Sequence, residues 1–140
     1  FTAARAELVR RVIKPTLDEG TSVVLDRYVD STTVYQGYGR RLPMAQVRAA
    51  NQLATGGLMP DLTILLEGSL KEMMRRADLR EDRGDRRFED EEVSFHRRVR
   101  SGFRRLAKRD PARWEVVDTS MLAGAAHQQI WDRVQSLTAT

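Results

Sequence analysis

Apolar positions along the chain recur at two periods, one helical and one of short uninterrupted runs. Leu8, Val12 and Ile13 fall on one face of a helix predicted over 3–19. Pro15 lacks an amide donor and is expected to kink that helix, and Gly20 to end it. The run Thr21-Ser22-Val23-Val24-Leu25-Asp26 reads as a strand buried on both faces. Residues 30–38 read as a short helix. Pro43 suits the first position of a helix through about Ala54, closed by Gly56-Gly57. Leu62–Glu67 is a second buried strand, and Ser69-Leu70-Lys71-Glu72 is a capping box opening a further helix. Val93, His96, Val99, Phe103 and Leu106 lie near one face of a long helix from about Glu89 to Lys108. Trp114–Asp118 is a third strand, and Ile130, Val134 and Leu137 stripe a last helix over 123–137. Helices alternating with short apolar strands predict an α/β fold, a parallel sheet with flanking crossover helices.

The 140 residues suit one domain. A chain of that size buries roughly 68–70% of its unfolded surface, enough for a core of its own. The absence of cysteine excludes disulfides and thiolate metal sites. No apolar run approaches the roughly 18 residues of a membrane span, and the opening FTAARAELVRR lacks the apolar stretch of a signal peptide. A cytoplasmic protein without a membrane partner is expected. Because it begins at Phe1 rather than Met, its N-terminus is expected to be a cut end.

The net charge of +4 is concentrated, since residues 71–110 hold 14 basic and 10 acidic side chains. The densest part, Arg80-Glu81-Asp82-Arg83-Gly84-Asp85-Arg86-Arg87, cannot bury apolar surface. It reads either as a solvated loop laced with ion pairs or as a guanidinium-rich flap over phosphates, which Arg forks bind bidentately. Acids interleave with the bases and no aromatics alternate with them, so no nucleic-acid partner is expected.

Each predicted strand ends in an acid: Asp26, Glu67 and Asp118. Ligands of open α/β sheets bind beyond the carboxyl ends of strands. Asp26-Arg27-Tyr28 is therefore placed for chemistry, with Arg27 able to clamp an anion and Asp26 able to reach a metal ion or its water. The plainer alternative is a strand-terminal ion pair and turn. His96 and His127 are too far apart to suggest a metal pair, and His96 reads as a helix-packing residue.

Several segments together say more. Phe1-Thr2-Ala3-Ala4-Arg5, Asp26-Arg27-Tyr28-Val29-Asp30-Ser31 and Val34-Tyr35-Gln36-Gly37-Tyr38-Gly39-Arg40 follow in order. After them come Pro60-Asp61-Leu62-Thr63, Arg87-Phe88-Glu89, Phe95–Arg100 and Val117-Asp118. The ordered series closely resembles the thymidylate kinase family. The resemblance implies the P-loop nucleoside-monophosphate kinase fold, transfer of a phosphoryl group from ATP to dTMP, Mg²⁺ with the ATP, and a homodimer. Phe1 matches the ring stacked on thymine, and Arg5 the residue binding a thymine carbonyl. Arg27 matches the arginine that holds the acceptor phosphate, and Asp26 the acid near phosphates and metal, reaching the ion through water. Ser31, Thr32 and Gln36 fall where the family reads the thymine edge, and Tyr35 matches the ring under the sugar. The charged segment, about 78–88, matches the family's lid. Its Arg83 and Arg87 would hold ATP phosphates, and Arg87 would stabilise the transferring group. Many bacterial relatives carry Asp before that last arginine, where this chain has Arg86.

No G-x-x-x-x-G-K-[ST] loop occurs in the 140 residues. The resemblance therefore implies that 1–140 is the C-terminal two-thirds of one kinase domain, incomplete at its N-terminus and inactive alone. A non-catalytic nucleotide-binding or interaction module derived from that fold is the alternative.

Overall fold

The computed structural model describes residues 2–69 and 86–138, with only the backbone of 86–92 and 138. It forms two compact units, Phe1–Met59 and Pro60–Thr140.

The first unit is helical. Helix α1 (Thr2–Leu8) runs into a π-helical turn (Val9–Ile13) and then helix α2 (Lys14–Asp18). The wider turn precedes Pro15, where a missing N–H disrupts the regular ladder. The irregularity expected at the proline takes the form of a π turn just before it. It ends at Gly20 (φ 77°), with the Gly20 amide donating to Leu17 O at 2.9 Å and the Thr21 amide to Thr16 O at 3.0 Å. That pair of bonds satisfies carbonyls of the last turn and needs the left-handed backbone glycine supplies.

Residues 21–25 are irregular, and Val24 is 95% exposed. The predicted strand over 21–26 is therefore not found. A strand is defined by the neighbour that takes its amides and carbonyls, and among the described residues none pairs with this run. Helix α3 (Val29–Thr32) leads into a π-helical segment (Thr33–Gly39), covering the helix predicted at 30–38. Helix α4 (Met44–Thr55) starts one residue later than expected, with Pro43 at its N-cap (ψ 121°), and stops at left-handed Gly56. Helix α1 packs on α4, and Val9, Ile13, Val29, Val34, Val47 and Ala54 are buried in this unit.

The second unit holds a parallel strand pair. Strand β1 (Thr63–Glu67) lies beside β2 (Trp114–Asp118), in register from Thr63↔Trp114 to Glu67↔Asp118. Parallel neighbours need a long crossover, and helix α5 (Arg86–Arg109) lies within it. Val99 and Ala107 are buried, with Val93, His96, Phe103 and Leu106 half-buried, the stripe expected from the sequence. Helix α6 (Ala123–Thr138) packs on β2. Its Ile130 and Val134 are half-buried, whereas Leu137 is exposed. Trp114 and Val117 are buried, but Leu66 and Val116 are exposed, so β1 is only partly buried where a buried strand was expected. The capping box at 69–72 and the lid at 78–88 fall almost wholly outside the described residues.

Candidate functional site

The candidate site is built on the first unit, where the chain leaves the irregular 21–25 run and enters α3. Arg27 adopts φ 67° there, left-handed backbone that costs a non-glycine residue free energy. The turn lets its guanidinium lie over the Tyr35 ring, 5.2 Å from the centroid. A cation on an aromatic face is worth about 0.5–1 kcal/mol at an exposed site. Asp26, just before it, is exposed.

Arg5 of α1 is half-buried. Its Nη1 donates to Asn51 Oδ1 at 3.3 Å and its Nη2 to Tyr28 O at 3.4 Å, and its Cζ is 5.6 Å from the Tyr28 ring centroid. Burial draws the Arg5 guanidinium below its ordinary pKa, opposed by Tyr28. Burial likewise raises the Tyr28 phenol, opposed by the Arg5 charge and by hydrogen bonding with Thr55. The Tyr28 hydroxyl donates to Leu58 O at 3.3 Å, which fixes the ring beneath the guanidinium.

Ser31, Thr32, Tyr35 and Gln36 are half-buried along α3 and the π-helical segment that follows. Single π turns inside helices recur at functional sites because they re-aim side chains. Gly37 is tightly packed, since a Cβ there would meet Met44 Cε at 2.6 Å. Asp30 is buried in the first turn of α3.

Arg5 and Arg27 are thus seated on Tyr28 and Tyr35, and the segment expected to read a base follows directly. Phe1 and Arg83 lie outside the described residues, and Arg87 is described only as helix backbone. The other strand-end acids serve structure. Glu67 pairs with Arg100 at 3.3 Å and also with Arg104. Asp118 accepts the Ser120 amide at 2.8 Å, a bond that holds its carboxyl below the usual range. His96 is half-buried with its ring edge-on to Phe95 at 5.5 Å, the packing role expected.

The sequence reading missed Asn51, Thr33 and the structural part of Tyr28. Asn51 Nδ2 donates to Val29 O at 3.2 Å and to Thr33 Oγ1 at 3.0 Å. A signal was available, because Asn51 stands four residues after Val47 and three before Ala54, at a core position of an amphipathic helix. A polar residue on an apolar face is the informative kind of burial.

Among the described residues no group of three or more acids or histidines could hold a metal ion. Mg²⁺ usually takes one or two carboxylates and keeps waters and phosphates for the rest. The exposed Asp26 suits that chemistry. Among the described residues no helix is long and apolar enough to cross a membrane.

Comparison with known proteins places the chain in a family. A family model described as thymidylate kinase matches residues 1–130. The thymidylate kinase of Nitratidesulfovibrio vulgaris is 44% identical over 142 residues, covering 98% of this chain and 66% of that protein. The thymidylate kinase of Thermomicrobium roseum is 45% identical over 139 residues, covering 96% and 63%. A crystal structure of thymidylate kinase from Ehrlichia chaffeensis superposes with a TM-score of 0.73 at 27% identity, covering 96% of this chain and 61% of that one. The chain therefore spans a little under two-thirds of the length of these relatives.

Proposed function

The chain belongs to the thymidylate kinase family, and from that membership we propose that the protein transfers the γ-phosphoryl group of ATP to dTMP, giving dTDP and ADP. Its parallel strand pair with flanking helices is consistent with the P-loop nucleoside-monophosphate kinase fold. Because the family model runs through both units, residues 1–140 are read as part of one kinase domain. The observation that carries the proposal is Arg27, held at φ 67° on the Tyr35 ring, with a second guanidinium, Arg5, seated on Tyr28 in the same unit. Strain at a residue is retained where its surroundings over-determine it, and such residues gather at ligand clamps.

In this reading Arg27 binds the dTMP phosphate and Arg5 a thymine carbonyl. Phe1 stacks on the base, a contact worth about 1–3 kcal/mol. Ser31, Thr32 and Gln36 line the base edge. Gln36 carries both a donor and an acceptor, as an imide edge requires. Tyr35 lies under the sugar. A phosphate oxygen of dTMP attacks the γ-phosphorus in line, and the bond to the ADP oxygen breaks. Positioning and charge neutralisation supply most of the rate. Arg27 restrains the attacking phosphate, while Arg83 and Arg87 neutralise the ATP phosphates. Asp26 would hold Mg²⁺ through a water, and the ion would supply charge neutralisation at the ATP phosphates. Pairing of two copies through helices, and a cytoplasmic location, complete the proposal.

The test is a coupled assay of ADP release by the full-length protein with ATP, Mg²⁺ and dTMP. Turnover with dTMP and its loss by at least about 100-fold in Arg27→Ala are expected, the scale seen when a transition-state charge partner is removed. Wild-type turnover by Arg27→Ala would defeat the assignment of the phosphate clamp. A full-length protein that binds dTMP but releases no ADP would defeat the transfer reaction.

A further inference from the structure

A primary amide in a protein interior is satisfied only if its oxygen meets a donor and its nitrogen meets acceptors. Asn51 is 9% exposed, on the face of α4 that carries Val47 and Ala54. Its surroundings dictate which way the amide points. Thr33 Oγ1 donates its one proton to Val29 O at 3.0 Å. The Asn51 atom 3.0 Å from that hydroxyl must therefore be a donor, the Nδ2 nitrogen, which also reaches Val29 O at 3.2 Å. The oxygen is left facing Arg5 Nη1 at 3.3 Å, and a guanidinium has only donors to offer. One amide thus ties α1, the entrance of α3 and the start of the π-helical segment together. The two side chains nearest to it in shape each fail. Aspartate has no donor for Val29 O or Thr33, and leucine leaves Arg5 Nη1 without its acceptor.

We propose that Asn51 is a positioning residue for base recognition, which sets the plane of the Arg5 guanidinium and locks it to the segment carrying Ser31, Thr32 and Gln36. The inference rests on the reading of Arg5 as the residue that binds the base. It assigns Asn51 no contact with nucleotide. Its effect is carried through Arg5, and it falls on dTMP affinity rather than on the chemical step.

The experiment is a double-mutant cycle on the full-length protein. KM and kcat are measured for dTMP at saturating ATP, Kd for dTMP by calorimetry, and Tm by thermal melting. Asn51→Ala is expected to raise KM and Kd about tenfold, the scale of a lost hydrogen bond to a charged group, with kcat kept within about threefold. In an Arg5→Ala background the same change is expected to add less than about twofold, because the partner is gone. A merely structural role would lower Tm in both backgrounds and give the same KM change in each, and that result overturns the proposal. So does a fall in kcat with KM unchanged. Thr33→Val, which keeps side-chain shape while removing the hydroxyl that orients the amide, is expected to raise KM several-fold only when Arg5 is present. Should Asn51→Ala fail to fold, an unchanged KM in Thr33→Val overturns the proposal. The failures are distinguishable. If Arg5→Ala leaves dTMP affinity intact, the base reading falls and this inference with it. If Arg5→Ala weakens dTMP while both Asn51→Ala and Thr33→Val are silent, the inference alone falls.

Discussion

Arg27 is where function and stability pull against each other within one residue. An L-residue in left-handed backbone costs about 1–2 kcal/mol, and the contact of its guanidinium with Tyr35 returns only part of that. Glycine removes the steric cost but loses about 0.5–1 kcal/mol through the entropy of the unfolded chain. Alanine keeps the steric cost and loses the contact. Arg27→Gly is therefore expected to melt above Arg27→Ala by the equivalent of about 1 kcal/mol, a few degrees for a chain this size, while both lose turnover alike. Melting of the two variants side by side checks this, and equal Tm values would show that the turn is unstrained. At this scale the sequence was legible where chemistry is written in residue type. Arg27 could be singled out at its predicted strand end and Arg5 through the family resemblance, but their seats on Tyr28 and Tyr35 could not. A cation over a ring depends on a backbone angle that no residue pattern around Arg27 encodes. Glu67 and Asp118 show the converse. As strand-end acids they resembled Asp26, yet one is claimed by Arg100 and Arg104 and the other by a turn amide, partners that only the folded chain selects.

Secondary structure divides in the same way according to whether its cause is local. Helix ends were legible because Gly20 and Gly56 satisfy a backbone requirement within a few residues. Strand β2 was read with its observed limits, and β1 to within one residue, since each is a short apolar run bounded by turn residues. The run at 21–26 has the same composition and is no strand, because pairing is a property of two segments and composition describes one. The π turn before Pro15 was missed for a related reason. Proline announces that the regular ladder is broken, not whether the helix bends or widens. Two glycines test the local account with opposite signs. Gly20 has φ 77° and Gly124, in α6, has no positive φ, and an added Cβ meets nothing within 4 Å at either. With sterics removed, only backbone conformation remains. Gly20→Ala is expected to cost about 1 kcal/mol. Gly124→Ala is expected to gain from a few tenths to about 1 kcal/mol through helix propensity. Chemical denaturation of the two variants measures both, and a loss at each would mean that the strain account of Gly20 is wrong.

At the scale of the molecule, the described residues of the proposed dTMP site lie in one compact unit. Asp26, Arg27, Arg5, the 31–36 segment and Asn51 all fall within residues 1–59, and the parallel strand pair lies in the other unit. That distribution has a thermodynamic consequence. A ligand that binds only the folded state stabilises it by about 2.7 kcal/mol at one hundred times its Kd. The stabilisation is felt first by the segments whose opening destroys the site, because native proteins open in contiguous parts of unequal stability. Hydrogen exchange of the full-length protein with dTMP, without ATP, should therefore slow most at amides of α1, α3, the π-helical segment and α4. A free energy of that size corresponds to about a hundredfold slowing where opening is the exchange step. Amides of β1, β2 and α6 should slow less, since their opening leaves Arg5, Tyr28 and Asn51 in place. Arg27→Ala should abolish most of the effect, through loss of binding rather than of structure. Protection confined to residues 60–138 would mean that dTMP is held elsewhere. Uniform protection throughout would mean that the two units open as one, so that the site's location could not be read from exchange, although a ligand-induced shift in Tm would still report binding. The first pattern follows because every described hydrogen bond holding Arg5 and Tyr28 closes within the first sixty residues. A nucleotide gripping those groups draws its stability from that unit's own backbone.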